Sequence, residues 1–218
     1  MSDKTRKIAV LTGDLVNSTG LGPEKVERAF VALEDCAEMQ AEWMGGQSLH
    51  FTRHRGDGWQ VALAEPKYAL RSALCFRAAL RALGEEFDSY IGIAEGEVVG
   101  EIGPDLNEET SSAFLTSGMA LDNIKANEGS NYFHYISESL HLTAACKLLG
   151  ALSNAWTAIQ SQTVLLAMTP KHSASYTQIA EKLGKSRQSV SKAIRATEWP
   201  SISAALTMIE YQEEKKNA

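Results

Sequence analysis

Two aspartates near the start of the chain and one basic helical stretch near its end are the residues whose types and spacing could do chemistry. Asp14 closes an apolar, β-branched run from Lys7 to Leu15, and Asp57 sits between Gly56 and Gly58. If adjacent strands bring the two carboxylates together, they form a pair of hard oxygen ligands of the kind that Mg²⁺ or Mn²⁺ takes. The polar stretch Val16 to Gly20 contains Asn17, Ser18 and Thr19, and its backbone N–H groups can face phosphate oxygens. Each aspartate taken singly is also an ordinary turn former.

The second stretch runs from Thr177 to Trp199 and has the residue types of a helix-turn-helix. Thr177 can cap a first helix and Ser186 a second. Ala180 is small where the helices cross, and Gly184 can take the left-handed turn conformation. Ile179, Leu183, Val190 and Ile194 form an apolar wedge, which leaves Arg187, Gln188, Ser189, Ser191, Lys192 and Arg195 to reach base edges and phosphates of duplex DNA. Pro200 is expected to stop the second helix. The bland alternative is a helical hairpin with a solvated basic face or one that makes protein contacts.

These residues need elements to hold them. Lys7 to Leu15 reads as a buried strand and Pro23 opens a helix whose Val26, Phe30, Leu33 and Ala37 share a stripe. Ser48 to Arg53 and Trp59 to Leu63 flank Gly56-Asp57-Gly58 as a hairpin. A helix over Pro66 to Leu83 and a strand over Ser89 to Val99 follow. The order strand, helix, strand, strand, helix, strand is that of a ferredoxin-like βαββαβ sandwich. Beyond a polar loop, Ala113 to Asn127 reads as helix and Tyr132 to Ile136 as a closing strand. Leu140 to Leu149 and Leu152 to Ala167 read as helices, the second through Leu152, Trp156, Ile159 and Leu166. The fold class is therefore α+β, with residues 1–137 as the sandwich and 138–218 as an all-α domain carrying the helix-turn-helix.

Charge separates the two parts more sharply than the total suggests. The net −6 divides into +3 for residues 151–218, from eight bases and five acids, and −9 for the rest. Between Lys171 and Arg195, six bases face the single acid Glu181, so a phosphate backbone is drawn there and repelled elsewhere. Cys36, Cys75 and Cys146 are odd in number and set among apolar residues, which predicts buried free thiols and a reducing, cytoplasmic setting. No apolar run approaches the roughly 20 residues of a membrane span. The five histidines show no paired metal spacing, and Ser18 and Thr19 have no acid or histidine at nucleophile spacing.

Three blocks carry a resemblance. Leu11-Thr-Gly-Asp14-Leu-Val-Asn-Ser-Thr19, Arg53-His-Arg-Gly56-Asp57-Gly58-Trp and Ile91-Gly-Ile-Ala-Glu-Gly96-Glu-Val98 resemble, in order and spacing, the leading blocks of class III nucleotide cyclase domains. The resemblance implies that Asp14 and Asp57 hold metal, that Asn17, Ser18 and Thr19 lie at the nucleotide, and that Arg53 stands where those enzymes commonly have a base-selecting lysine. It departs in the later helix, where those enzymes place an Asn and, four residues on, an Arg. One register offers Asp122 and Ala126, the other Leu121 and Lys125. The whole arrangement, a cyclase-like domain followed by a helix-turn-helix, resembles the SatD family. The expectation is a homodimeric DNA-binding regulator with a nucleotide- or metal-sensing domain, Ile202, Leu206 and Ile209 contributing to the dimer. The alternatives are a metal-dependent nucleotide cyclase or other phosphoryl-transfer enzyme of the class III cyclase type, and a ligand-free scaffold.

Overall fold

The computed structural model describes residues 5–54, 56–127, 131–170 and 174–216, so Arg55, Lys171 and His172 lie outside the described residues. Five strands make one sheet: β1 (Thr5–Leu15), β2 (Thr52–Arg53), β3 (Gly58–Leu63), β4 (Ser89–Val99) and β5 (Phe133–Ile136), in the spatial order β2-β3-β1-β4-β5. β1 is antiparallel to β3 and β4, β2 is antiparallel to β3, and β5 is parallel to β4. The central place of β1 follows from its composition, because Ile8 to Leu11 are all fully buried and such a run suits a strand covered on both faces.

The period of two sends alternate β1 residues into separate clusters. Ala9 and Leu11 pack with α2 (Pro23–Ala41) and α3 (Ala69–Arg81), while Ile8 and Val10 pack with Ala113 and Phe114 of α4 (Ser112–Ala126). α4 lies close to β4 because Gly92 has no side chain; a Cβ there would overlap the α4 backbone at Ser117 and Leu121. Both faces of the sheet are thus covered by this chain's own helices.

The remaining helices are α1 (Ser18–Leu21), α5 (Leu140–Ser153), α6 (Ala158–Ala167), α7 (Tyr176–Leu183), α8 (Arg187–Ala196) and α9 (Trp199–Lys216). The first cluster runs on through Leu142, Trp156, Val164, Ile179, Val190 and Leu206, so one apolar core joins the sheet layer to the C-terminal helices. The three cysteines are free and buried, with Cys36 and Cys75 Sγ atoms 3.7 Å apart between α2 and α3. Among the described residues no helix is long and apolar enough to cross a membrane.

Several local expectations need correction. The strand over Ser48 to Arg53 shrinks to Thr52–Arg53, because His50 turns left-handed at φ 48° and breaks the extended run. Val16 to Gly20 is not an open loop but leads into the single helical turn α1. Leu152 belongs to α5, and Trp156 lies in the link to α6, which restarts at a capping box made by Thr157 and Gln160. Ser175, not Thr177, caps α7. Pro200 does not end α8; that helix stops at Ala196, Glu198 takes φ 55°, and Pro200 sits in the first turn of α9, where its missing N–H is harmless. Ile202 and Leu206 turn inward and are buried against their own chain.

Candidate functional site

The β1–β3 ladder sets Asp14 opposite Gly58, and the Leu15 N–H donates to the Asp57 carbonyl at 3.1 Å. The hairpin tip is thereby laced to the end of β1, and the two carboxylates come together. Ser18 Oγ donates to Asp57 Oδ2, and Lys125 Nζ from the end of α4 stands 2.6 Å from Asp14 Oδ2. The floor is rigid. Trp59 lies over Gly13, where any Cβ would overlap the indole, and its Nε1–H donates at 3.0 Å to Ser89 Oγ, which itself donates to the Asp14 carbonyl at 2.9 Å.

Burial raises the Asp14 carboxyl above its ordinary value; the Lys125 ammonium pulls it back, and the neighbouring Asp57 carboxylate adds to the rise. Two carboxylates are what Mg²⁺ or Mn²⁺ uses when phosphate oxygens and water complete its shell, and they are too few for an all-protein cage. Among the described residues no group of three or more His, Cys, Asp or Glu is placed to hold a metal. Lys125 already pairs with one oxygen, Oδ2, of the Asp14 carboxylate.

The other site residues divide. Asn17 is left-handed at φ 52°, accepts the Gly20 N–H at 2.9 Å through its carbonyl and begins α1; it and Thr19 are exposed on the turn that carries Ser18. Arg53 is committed elsewhere: it donates to Glu27 at 2.8 and 3.1 Å and to Glu34 at 2.8 Å, and lies 4.5 Å above the Phe30 ring. Hydrogen bonding to Glu27 is the main reason its guanidinium holds its proton still more firmly. On α4, Lys125 reaches Asp14 and Leu121 is buried against Gly92; Asp122, Lys125 and Ala126 are all exposed.

The second group of residues lies on α7 and α8. Ser175 and Gln178 cap α7 reciprocally; Gly184 ends it at φ 60°, ψ 34°; and Ser186 Oγ accepts the Ser189 N–H at 3.1 Å to start α8. Ile179, Ala180, Val190 and Ile194 are buried. Arg187, Gln188, Ser189, Lys192 and Arg195 are exposed, and Ser191 is half-buried, accepting from Arg195 Nη2 at 3.0 Å. None of the ion pairs among the described residues involves Arg187, Lys192 or Arg195.

No family model and no curated protein matches the chain. Among solved structures, the guanylyl cyclase Cya2 is similar with a TM-score of 0.44 and 22% identity, over 66% of this chain and 81% of that one. Two structures of a bacterial light-regulated adenylyl cyclase are similar with TM-scores of 0.43 and 0.42 and identities of 14% and 15%. The match takes in 62% of this chain but only 44% of each of theirs, so the chain spans less than half the length of the light-regulated enzyme.

Proposed function

We propose that the chain is a DNA-binding regulator: α7 and α8 are a helix-turn-helix, and the α+β part is a ferredoxin-like, cyclase-like sandwich that senses a nucleotide together with Mg²⁺ or Mn²⁺. One observation carries this. The polar face of α8 is exposed and its bases enter no ion pair among the described residues, while the apolar face is used up inside the fold. A helix held this way can enter a major groove without unfolding anything, with Arg187, Gln188 and Ser189 at its N-terminal end toward bases and Lys192 and Arg195 toward phosphates. On the sensing side, Asp14 and Asp57 would hold the cation, and Asn17, Ser18 and Thr19 would lie beside the phosphates.

The test is selection of bound duplexes from a random pool by the full chain, followed by a salt titration of the selected site. Enrichment of a defined sequence, with affinity falling steeply as salt rises, is expected. Failure to enrich any sequence, together with no salt-sensitive duplex binding, overturns the reading.

A phosphoryl-transfer enzyme is the second reading, and the approach of Lys125 to the Asp14–Asp57 pair favours it, since that ammonium could neutralise charge on a transferring phosphoryl group. It ranks second because Lys125 is tied to Asp14 and Arg53 to Glu27 and Glu34, which leaves developing charge poorly met.

A further inference from the structure

We infer that the outer face of α5 is the contact through which two copies of this chain pair. The helix, Leu140–Ser153, contains no acidic residue, and its inner side is already taken: Leu142, Cys146, Leu149 and Gly150 are buried against the sheet layer. Its outer side nevertheless carries large apolar residues into solvent, with Leu140 83%, Leu148 64% and Leu152 45% exposed. Folded chains seldom leave such a continuous apolar stripe without a partner.

The pattern selects a second copy as that partner. Leu140, Ala144, Leu148 and Leu152 are spaced four apart and form one ridge along the helix. When two such ridges run antiparallel, Leu148 of each copy drops onto Ala144 of the other, and Leu140 meets Leu152. The same residues then serve both sides, which is the condition for a twofold contact. Packing of two i±4 ridges sets a crossing angle of about −50°. A charged peptide finds less here, because the helix itself holds no acid and, of its two basic groups Lys147 and His141, the second already stands 3.8 Å from Glu213 of α9.

Size sets the strength. A helix of 14 residues is about 21 Å long, so a single crossed pair buries less than the roughly 1,200 Å² of a standard interface, which makes the contact a weak, reversible one. On the DNA-binding reading, duplex with two half-sites would hold the copies together; the dimer itself does not depend on that reading.

The experiment is sedimentation equilibrium or light scattering of the full chain without DNA, from about 1 to 200 µM, the range that brackets a weak interface. A reversible monomer–dimer equilibrium is expected, with Leu148→Glu raising its dissociation constant at least tenfold. Met119→Glu on α4 and Met208→Glu on α9, at positions 60% and 72% exposed, should leave it unchanged. All three positions are exposed, and equal melting temperatures confirm that each variant is folded. A chain monomeric throughout the range overturns the inference, and so does a dimer that survives Leu148→Glu or dissolves with either control. Loss of DNA binding in an otherwise normal dimer overturns only the regulator reading.

Discussion

Arginine is put to opposite uses in α3 and α8. On α3, Arg77 is 1% exposed and donates to both Asp88 oxygens at 2.8 Å, while its remaining nitrogen reaches the Gly150 carbonyl and Ser153 Oγ at 3.0 and 2.7 Å. Arg81 adds a bond to the same carboxylate and two to the Trp156 carbonyl, and Arg71 forks onto Glu210 of α9 at 2.6 and 3.0 Å. On α8, Arg187 and Arg195 face solvent, and neither enters an ion pair among the described residues. The difference lies in where the acids point. Glu210 of α9 turns toward Arg71 on α3 and Glu214 toward Lys67 just before it, so these two acids brace α9, while no ion pair among the described residues reaches Arg187, Lys192 or Arg195. Net charge by itself predicts neither use.

The sharpest way to break that comparison is to remove a buried fork. Arg77→Met keeps much of the volume but leaves Asp88 half-matched and strips donors from Gly150 and Ser153. Breaking a buried pair from one side typically removes about 3–5 kcal/mol, which for a chain of this size lowers Tm by about 6–20 °C. Arg71→Met should act similarly through Glu210. Thermal unfolding followed by circular dichroism decides it, and a melt within a degree of wild type would mean that these arginines do not hold the C-terminal helices in place.

Substitutions on α8 should behave the other way, leaving Tm nearly unchanged and acting on DNA. Arg187→Ala or Gln188→Ala is expected to relax sequence preference by about 1–3 kcal/mol at one base position. Lys192→Ala or Arg195→Ala should instead weaken binding to all duplexes and reduce the salt slope by about one unit each. Fluorescence anisotropy at several salt concentrations separates the two patterns. A uniform fall in Tm across all four variants would show that α8 is a brace like α3.

The sequence makes some of this legible and hides the rest for physical reasons. The α7–α8 hairpin is readable because its constraints are local: the glycine turn, the Ser186 cap and the four wedge residues all lie within twenty positions. β1, β4 and the hairpin around Asp57 are readable from apolar runs and turn residues for the same reason. The partners of Arg53 and Arg77 are not, since Glu34 lies on another element and Asp88 is an ordinary acid until the fold brings them together. The approach of Lys125 to Asp14 is not readable either, because it depends on how closely α4 lies over Gly92. α5 misleads in the opposite sense, because a leucine stripe signals burial and does not say in which molecule.

The smallest expected effect tests whether the Asp14–Lys125 pair is a brace or a held-open site. Asp14 has a folded-state pKa above its ordinary 3.8, so the native chain binds that proton more tightly than the unfolded one. Its contribution to stability is therefore greatest below pH 3.8 and declines as pH rises from there through the raised value, so that the full penalty is present at neutral pH. Asp14→Asn removes the penalty. Lys125 is 42% exposed and returns to water with little loss, so the variant should melt slightly higher than wild type at pH 7. The gap should narrow as pH falls through the raised value and close below 3.8, where the carboxyl is neutral folded and unfolded alike. Melting curves at pH 7, 5.5 and 4 measure this, and added Mn²⁺ with nucleoside triphosphate should raise Tm for wild type alone. A variant that melts lower at neutral pH would make the pair a structural ion bridge like those of α3, and the carboxylates would then have no case as a cation site.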